Sequence, residues 1–185
     1  MRSSRALIET VLFGAFLSGC SSAPPGCSDS NTQEILGELL QEESQMLAIA
    51  VPGQGLGYAP GLLMLAPGAL IKIQQRELGE AFQLIEAAVE KQNDSDHMRL
   101  LKKVVSQAKT STYSLDGITT LSGTERRSEC SVQVKFKFGL PSAEDLGDSR
   151  YQTALDLARV LQDERTYRTY YSDDGTQYVE VDPPK

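Results

Sequence analysis

The sequence predicts an α+β domain, a small antiparallel sheet of about four strands with amphipathic helices packed on one face. Three observations predict it. The run Cys130-Ser131-Val132-Gln133-Val134-Lys135-Phe136-Lys137-Phe138 alternates apolar and polar residues, the signature of a half-buried strand. The first half of the chain instead places its apolar residues three and four apart, as amphipathic helices do. Near the end, two β-forming runs flank Ser172-Asp173-Asp174-Gly175, the composition of a hairpin turn.

The elements follow in order. Ser30-Asn31-Thr32-Gln33 has the form of a capping box, and Ile35, Leu36, Leu39 and Leu40 begin an apolar stripe, so a first helix is expected over 32–47. The segment 46–73 carries no charge before Lys72, and Pro52, Pro60 and Pro67 interrupt its apolar runs below spanning length. It reads as a loop folded over the core. An exposed surface that touches lipid or a partner is the competing reading. A second helix is expected over 70–91 with Leu78, Phe82, Ile85 and Val89 on one face. A third follows the breaker Asn93-Asp94-Ser95-Asp96, with Met98, Leu101, Val104, Val105 and Ala108 apolar. Together they form a helical hairpin, a Gly/Pro/Leu-rich insertion at about 46–110. Two short β-forming runs surround Asp116-Gly117, and the strand at 130–138 turns Cys130, Val132, Val134, Phe136 and Phe138 inward. A fourth helix is expected over 150–164. The closing hairpin, 165–171 and 176–181, points Val179 and Val181 to the core and Tyr178 away.

Composition narrows the partners. The chain has 18 Lys and Arg against 25 Asp and Glu, a net charge of −7 that opposes binding to phosphate backbones. With no clustered basic patch, nucleic acid is not an expected partner.

Arg2 and Arg5 precede an apolar run, Val11 to Leu17, that closes on Leu17-Ser18-Gly19-Cys20. This resembles the lipobox of bacterial lipoprotein precursors. The resemblance implies a signal peptide over 1–19, lipidation of Cys20 and a tether over 20–26 ahead of a single domain over 27–185. It also implies a membrane partner through the lipid anchor. Ser21 follows Cys20 where an Asp would retain many such lipoproteins in the inner membrane, so the periplasmic side of the outer membrane is the expected address. Cys27 and Cys130 then remain as an even pair in an exported chain, for which a disulfide is the leading reading and two free thiols or a metal site the alternatives. The Cys-Ser-Asp at 27–29, Ile118-Thr119-Thr120 before the Cys130 strand, and the Tyr-rich closing hairpin resemble small envelope lipoproteins of uncharacterised function. That likeness spans 27–36, 113–138 and 165–181 and brings no activity with it.

Chemical motifs are sparse. His97 is the single histidine, and Asp94, Ser95 and Asp96 before it match a helix start better than a ligand set, so no metal or cofactor is expected. Gly53-Gln54-Gly55-Leu56-Gly57 lacks the later glycine of a dinucleotide loop, Tyr58 standing there, and no Gly-x-Ser-x-Gly elbow occurs. Asp173-Asp174 fits a turn. Tyr167, Tyr170, Tyr171 and Tyr178 form the candidate binding surface, with sheet packing as the alternative. No catalytic residue is assigned. The primary expectation is a lipid-anchored, non-enzymatic envelope protein that binds an envelope partner or serves an assembly. The second is a lipid or small-ligand module using 46–73, and the third a hydrolase using His97.

Overall fold

The computed structural model describes residues 24–56, 64–93, 95–142, 144–145, 155–156 and 158–183, with backbone alone at 51–56 and 97. Its helices are α1 (Ser30–Leu56), α2 (Pro67–Gln74), α3 (Leu78–Glu90) and α4 (Asp96–Ala108). The strands are β1 (Thr112–Thr124), β2 (Arg127–Lys137), β3 (Val160–Tyr171) and β4 (Gln177–Val181), in one antiparallel sheet of order β1-β2-β3-β4. The α+β class with helices on one face of a four-stranded sheet is therefore the observed one.

Helix α1 buries a straight stripe at steps of four: Thr32, Leu36, Leu40, Ser44 and Ala48. Leu36 and Leu40 have no exposed surface, and each contributes about 1.5–3 kcal/mol by leaving water. The helix outruns the expected 32–47. It continues past Pro52 to Leu56, so proline there lacks the N–H for a bond to Ala48 without ending the element. The capping box does not form, because the helix already includes Ser30 and the Gln33 amide donates to the Ser28 carbonyl at 3.0 Å.

The segment 46–73 is thus largely helical where it is described, with 57–63 outside the described residues. It is also mixed in burial. Ala48, Ile49, Ala66 and Ala69 are core, whereas Met64, Leu70 and Ile71 face outward. The single helix expected over 70–91 is two, α2 and α3, separated at Gln75–Glu77, where Arg76 adopts φ 61°. Helix α3 buries Ala81, Phe82, Ile85 and Val89, and α4 buries Leu101, Val104, Val105 and Ala108, the faces that periodicity predicts. The Ser95 hydroxyl caps α4 by accepting from Met98 N at 3.2 Å.

In the sheet, Cys130, Val132, Val134, Phe136 and Phe138 are all buried against the helices. Strand β1 is one element rather than two, bent by register shifts at Asp116/Thr119 and Thr120/Ser122, with Gly117 at φ 61°. Of the helix expected over 150–164, Leu155, Asp156 and Ala158 are helical, and 150–154 and 157 lie outside the described residues. Val160 onward is strand. Here ladder pairing with β2, including Leu161 with Phe136 and Asp163 with Val134, outweighs a weak helical period. The β3–β4 turn uses Gly175 at φ 85°, a conformation that costs glycine little.

Cys27, ahead of α1, and Cys130, on β2, are joined at an Sγ–Sγ distance of 2.00 Å across 103 positions. The start of α1 is thereby tied to the middle of the sheet. Tyr167 strengthens that junction, its hydroxyl donating to the Cys27 carbonyl at 2.7 Å.

Candidate functional site

The inner face of β3 points Arg165, Tyr167 and Thr169 toward α1, since alternate residues share a face. Tyr167 is wholly buried, and burial pushes its hydroxyl up to about 12. It is a core residue, and this corrects its place in the expected binding surface. Tyr170 and Tyr178 pair across the strands and stack on the outer face, with ring centroids 5.6 Å apart. Tyr171 lies opposite Gln177, on the helix side of the sheet end. The four tyrosines are therefore divided between two faces and the core, and form no single surface.

Arg165 occupies the inner face with 2% of its side chain exposed. Its Nη2 donates to Glu43 Oε1 on α1 at 2.6 Å, and its Nε stands 3.2 Å from Asp163 Oδ2. That second approach is an ion pair without hydrogen-bond alignment, and Nη1 also lacks a hydrogen-bond partner among the described residues. Burial raises the Glu43 carboxyl above its ordinary 4.5; the Arg165 charge opposes the shift and the Asp163 charge adds to it.

Glu43 also lines a cleft of about 310 Å³ where α1, the α2–α3 corner and β4 meet. Its apolar wall is Leu39, Leu78, Val179, Val181 and Pro183, and its rim carries Glu42, Arg76, Glu180 and Asp182. The corner is fixed by Lys72, which is paired with both Glu77 and Glu80. Arg76 Nη1 donates to the Val181 carbonyl at 3.1 Å and closes the corner onto β4. Glu42 Oε2 accepts from Gly79 N at 3.2 Å, so a side chain from α1 serves the first turn of α3, where Glu77 makes no side-chain cap. On the outer face Arg168 reaches Asp182 at 3.0 Å and Glu180 at 3.5 Å.

Chemically this is a place to hold a small, largely apolar group with one polar end. Among the described residues no group of three His, Cys, Asp or Glu side chains is disposed to hold a metal ion. No described helix is long and apolar enough to cross a membrane. Cys20 and Asp94 lie outside the described residues. His97 belongs to the first turn of α4 with only its backbone described.

Sequence reasoning missed Glu43, Arg165 and Arg76. The signal for Arg165 was present, because 165, 167 and 169 alternate into the core once β3 is recognised. Arg76 had no such signal, since arginine carries no preference for a left-handed turn. Comparison with protein-family models, curated proteins and solved structures finds no match to this chain.

Proposed function

We propose that the protein is a lipid-anchored, non-catalytic binding component of a bacterial cell envelope, held through Cys20 and acting by engaging a ligand or envelope partner. The observation that carries the reading is the sequence Leu17-Ser18-Gly19-Cys20 after a basic, then apolar, start. The architecture supports it. A tether over 20–26 reaches at most roughly 25 Å, and it ends at Cys27, which is fixed to the sheet by its bond to Cys130. On this reading the domain stays close to the bilayer, with the end of its tether fixed to the sheet by the Cys27–Cys130 bond. Outer-membrane attachment, on the periplasmic side, follows from Ser21 beside the acylated cysteine.

A photo-crosslinking residue at Tyr178 and, separately, at Val179 tests the binding half of this proposal in intact cells. Position 178 samples the outer sheet face and position 179 the cleft. A discrete adduct from either position is the expected result. Only diffuse background from both positions contradicts it.

A further inference from the structure

The cleft has an imbalance of charge that its net composition hides. Each rim carboxylate is already held by a donor of the chain: Glu42 by Gly79 N–H, Glu43 by Arg165, and Glu180 and Asp182 by Arg168. Arg76 is different. Its one hydrogen bond among the described residues is to the neutral Val181 carbonyl, and it pairs with no described carboxylate. A guanidinium has five N–H donors in a planar fork that fits a carboxylate or phosphate in two-point fashion.

Arg76 is also the one non-glycine described residue at positive φ, 61°, a conformation that costs roughly 1–3 kcal/mol for a side chain of this kind. The turn nevertheless sets its side chain at the cleft mouth, above the wall of Leu39, Leu78, Val179 and Val181. The cleft volume of about 310 Å³ lies at the small end of the ~300–1,000 Å³ range of ligand pockets. It is of a size to seat one short chain. Charges beyond about 8 Å are screened at physiological salt, so what an anion meets is the rim itself. There Glu43, Glu180 and Asp182 are paired with Arg165 and Arg168, and the charge of Glu42, held by a neutral N–H, is the one that opposes it.

We infer that this cleft binds a single-chain anionic amphiphile, a fatty carboxylate or a monoacyl phosphate, with the chain on the apolar wall and the head group on Arg76. The inference rests on the binding reading above and names its ligand. Fatty carboxylate and monoacyl phosphate share the chemistry, a single apolar chain with an anionic head, and the experiment separates them.

The test uses the full chain in its own membranes. Three probes of equal chain length carry the same photoreactive group: a dodecanoate, a dodecyl phosphate and a dodecylamine. Peptide mapping locates the labelled residues. The expected result is labelling at Leu78, Val179 or Val181 by the carboxylate, the phosphate or both, and not by the amine. Arg76→Gly, which suits the positive φ and so retains the fold, should reduce that labelling about tenfold, the loss of one charge-assisted contact. Arg76→Lys keeps the charge but loses the planar two-point fork, so its labelling should fall between that of the wild type and that of Arg76→Gly. Labelling by the amine at equal or greater yield overturns the inference, as does labelling indifferent to Arg76→Gly. Absence of label at the cleft from every probe also overturns it, and is the outcome if a protein segment fills the groove. Lipid attachment at Cys20 is read separately and does not depend on Arg76, so a failed cleft leaves the anchor reading standing.

Discussion

Replacing Arg165 by Met removes the cation from a site where two carboxylates stay behind. Arg165 is 2% exposed, Glu43 17% and Asp163 31%, so neither the pair nor its remnant is rescued fully by water. Breaking a buried ion pair from one side costs about 3–5 kcal/mol, chiefly because the surviving charge is left unpaired. For a domain of this size each kcal/mol moves the melting temperature by about 2–4 °C, so a fall of roughly 6–20 °C is expected at neutral pH.

The pH dependence has a definite sign. The Glu43 carboxyl is raised in the folded state, so the native form holds its proton more tightly than the unfolded chain does. Its contribution to stability is greatest at low pH and is lost as pH climbs from the ordinary 4.5 through the raised folded value. Removing Arg165 takes away the one influence that lowers this carboxyl, which extends the window of loss upward. Urea denaturation of the wild type, Arg165→Met and the double variant Arg165→Met/Glu43→Gln, at pH 7 and pH 5, measures all of this. The single variant should show the large deficit at pH 7 and a smaller one at pH 5, and the double variant should recover much of the difference. A deficit below about 1 kcal/mol, or one equal at both pH values, would refute the claim that an unpaired buried Glu43 is the cause.

Three further outcomes are expected. Reducing the Cys27–Cys130 bond, which spans 103 positions, should lower stability by about 4–5 kcal/mol in the chain-entropy picture; denaturation with and without reductant measures it, and two alkylatable thiols in the oxidised protein would show that no bond forms. Tyr167→Phe deletes the buried bond to the Cys27 carbonyl and should cost about 1–2 kcal/mol. Because the Tyr167 hydroxyl is raised to about 12, wild-type stability should be lost as pH rises from 10.0 through that value, and the Phe variant should lack this contribution in an alkaline titration. Gly139→Ala would drive a methyl group into the Gln107 carbonyl and the Thr110 hydroxyl, and since a backbone atom cannot swing aside, about 1–3 kcal/mol should be lost in thermal melts.

Local patterns carried much of the fold. The alternation at 130–138, the faces of α3 and α4, the Ser95 cap and the Gly175 turn were all legible because each is set by neighbours a few residues away. The misses share the opposite cause. Val160–Glu164 became strand through pairing with β2, whose partner residues lie far off in sequence. Helix α1 ran past Pro52 although proline lacks the N–H to continue the ladder. The candidate site was hardly legible at all, since Glu43, Arg76 and Val181 come from three elements that meet only after the chain has folded. The tyrosines illustrate the limit well: their clustering in sequence was plain, yet strand alternation sent Tyr167 and Tyr170 to opposite faces.

Lipid attachment at Cys20 underlies the whole functional account, and metabolic labelling with a clickable palmitate analogue tests it most directly. The wild-type chain should take up the label and fractionate with outer membranes, whereas Cys20→Ala should take up none. Equal labelling of the two chains, or an unlabelled wild type, would contradict the account.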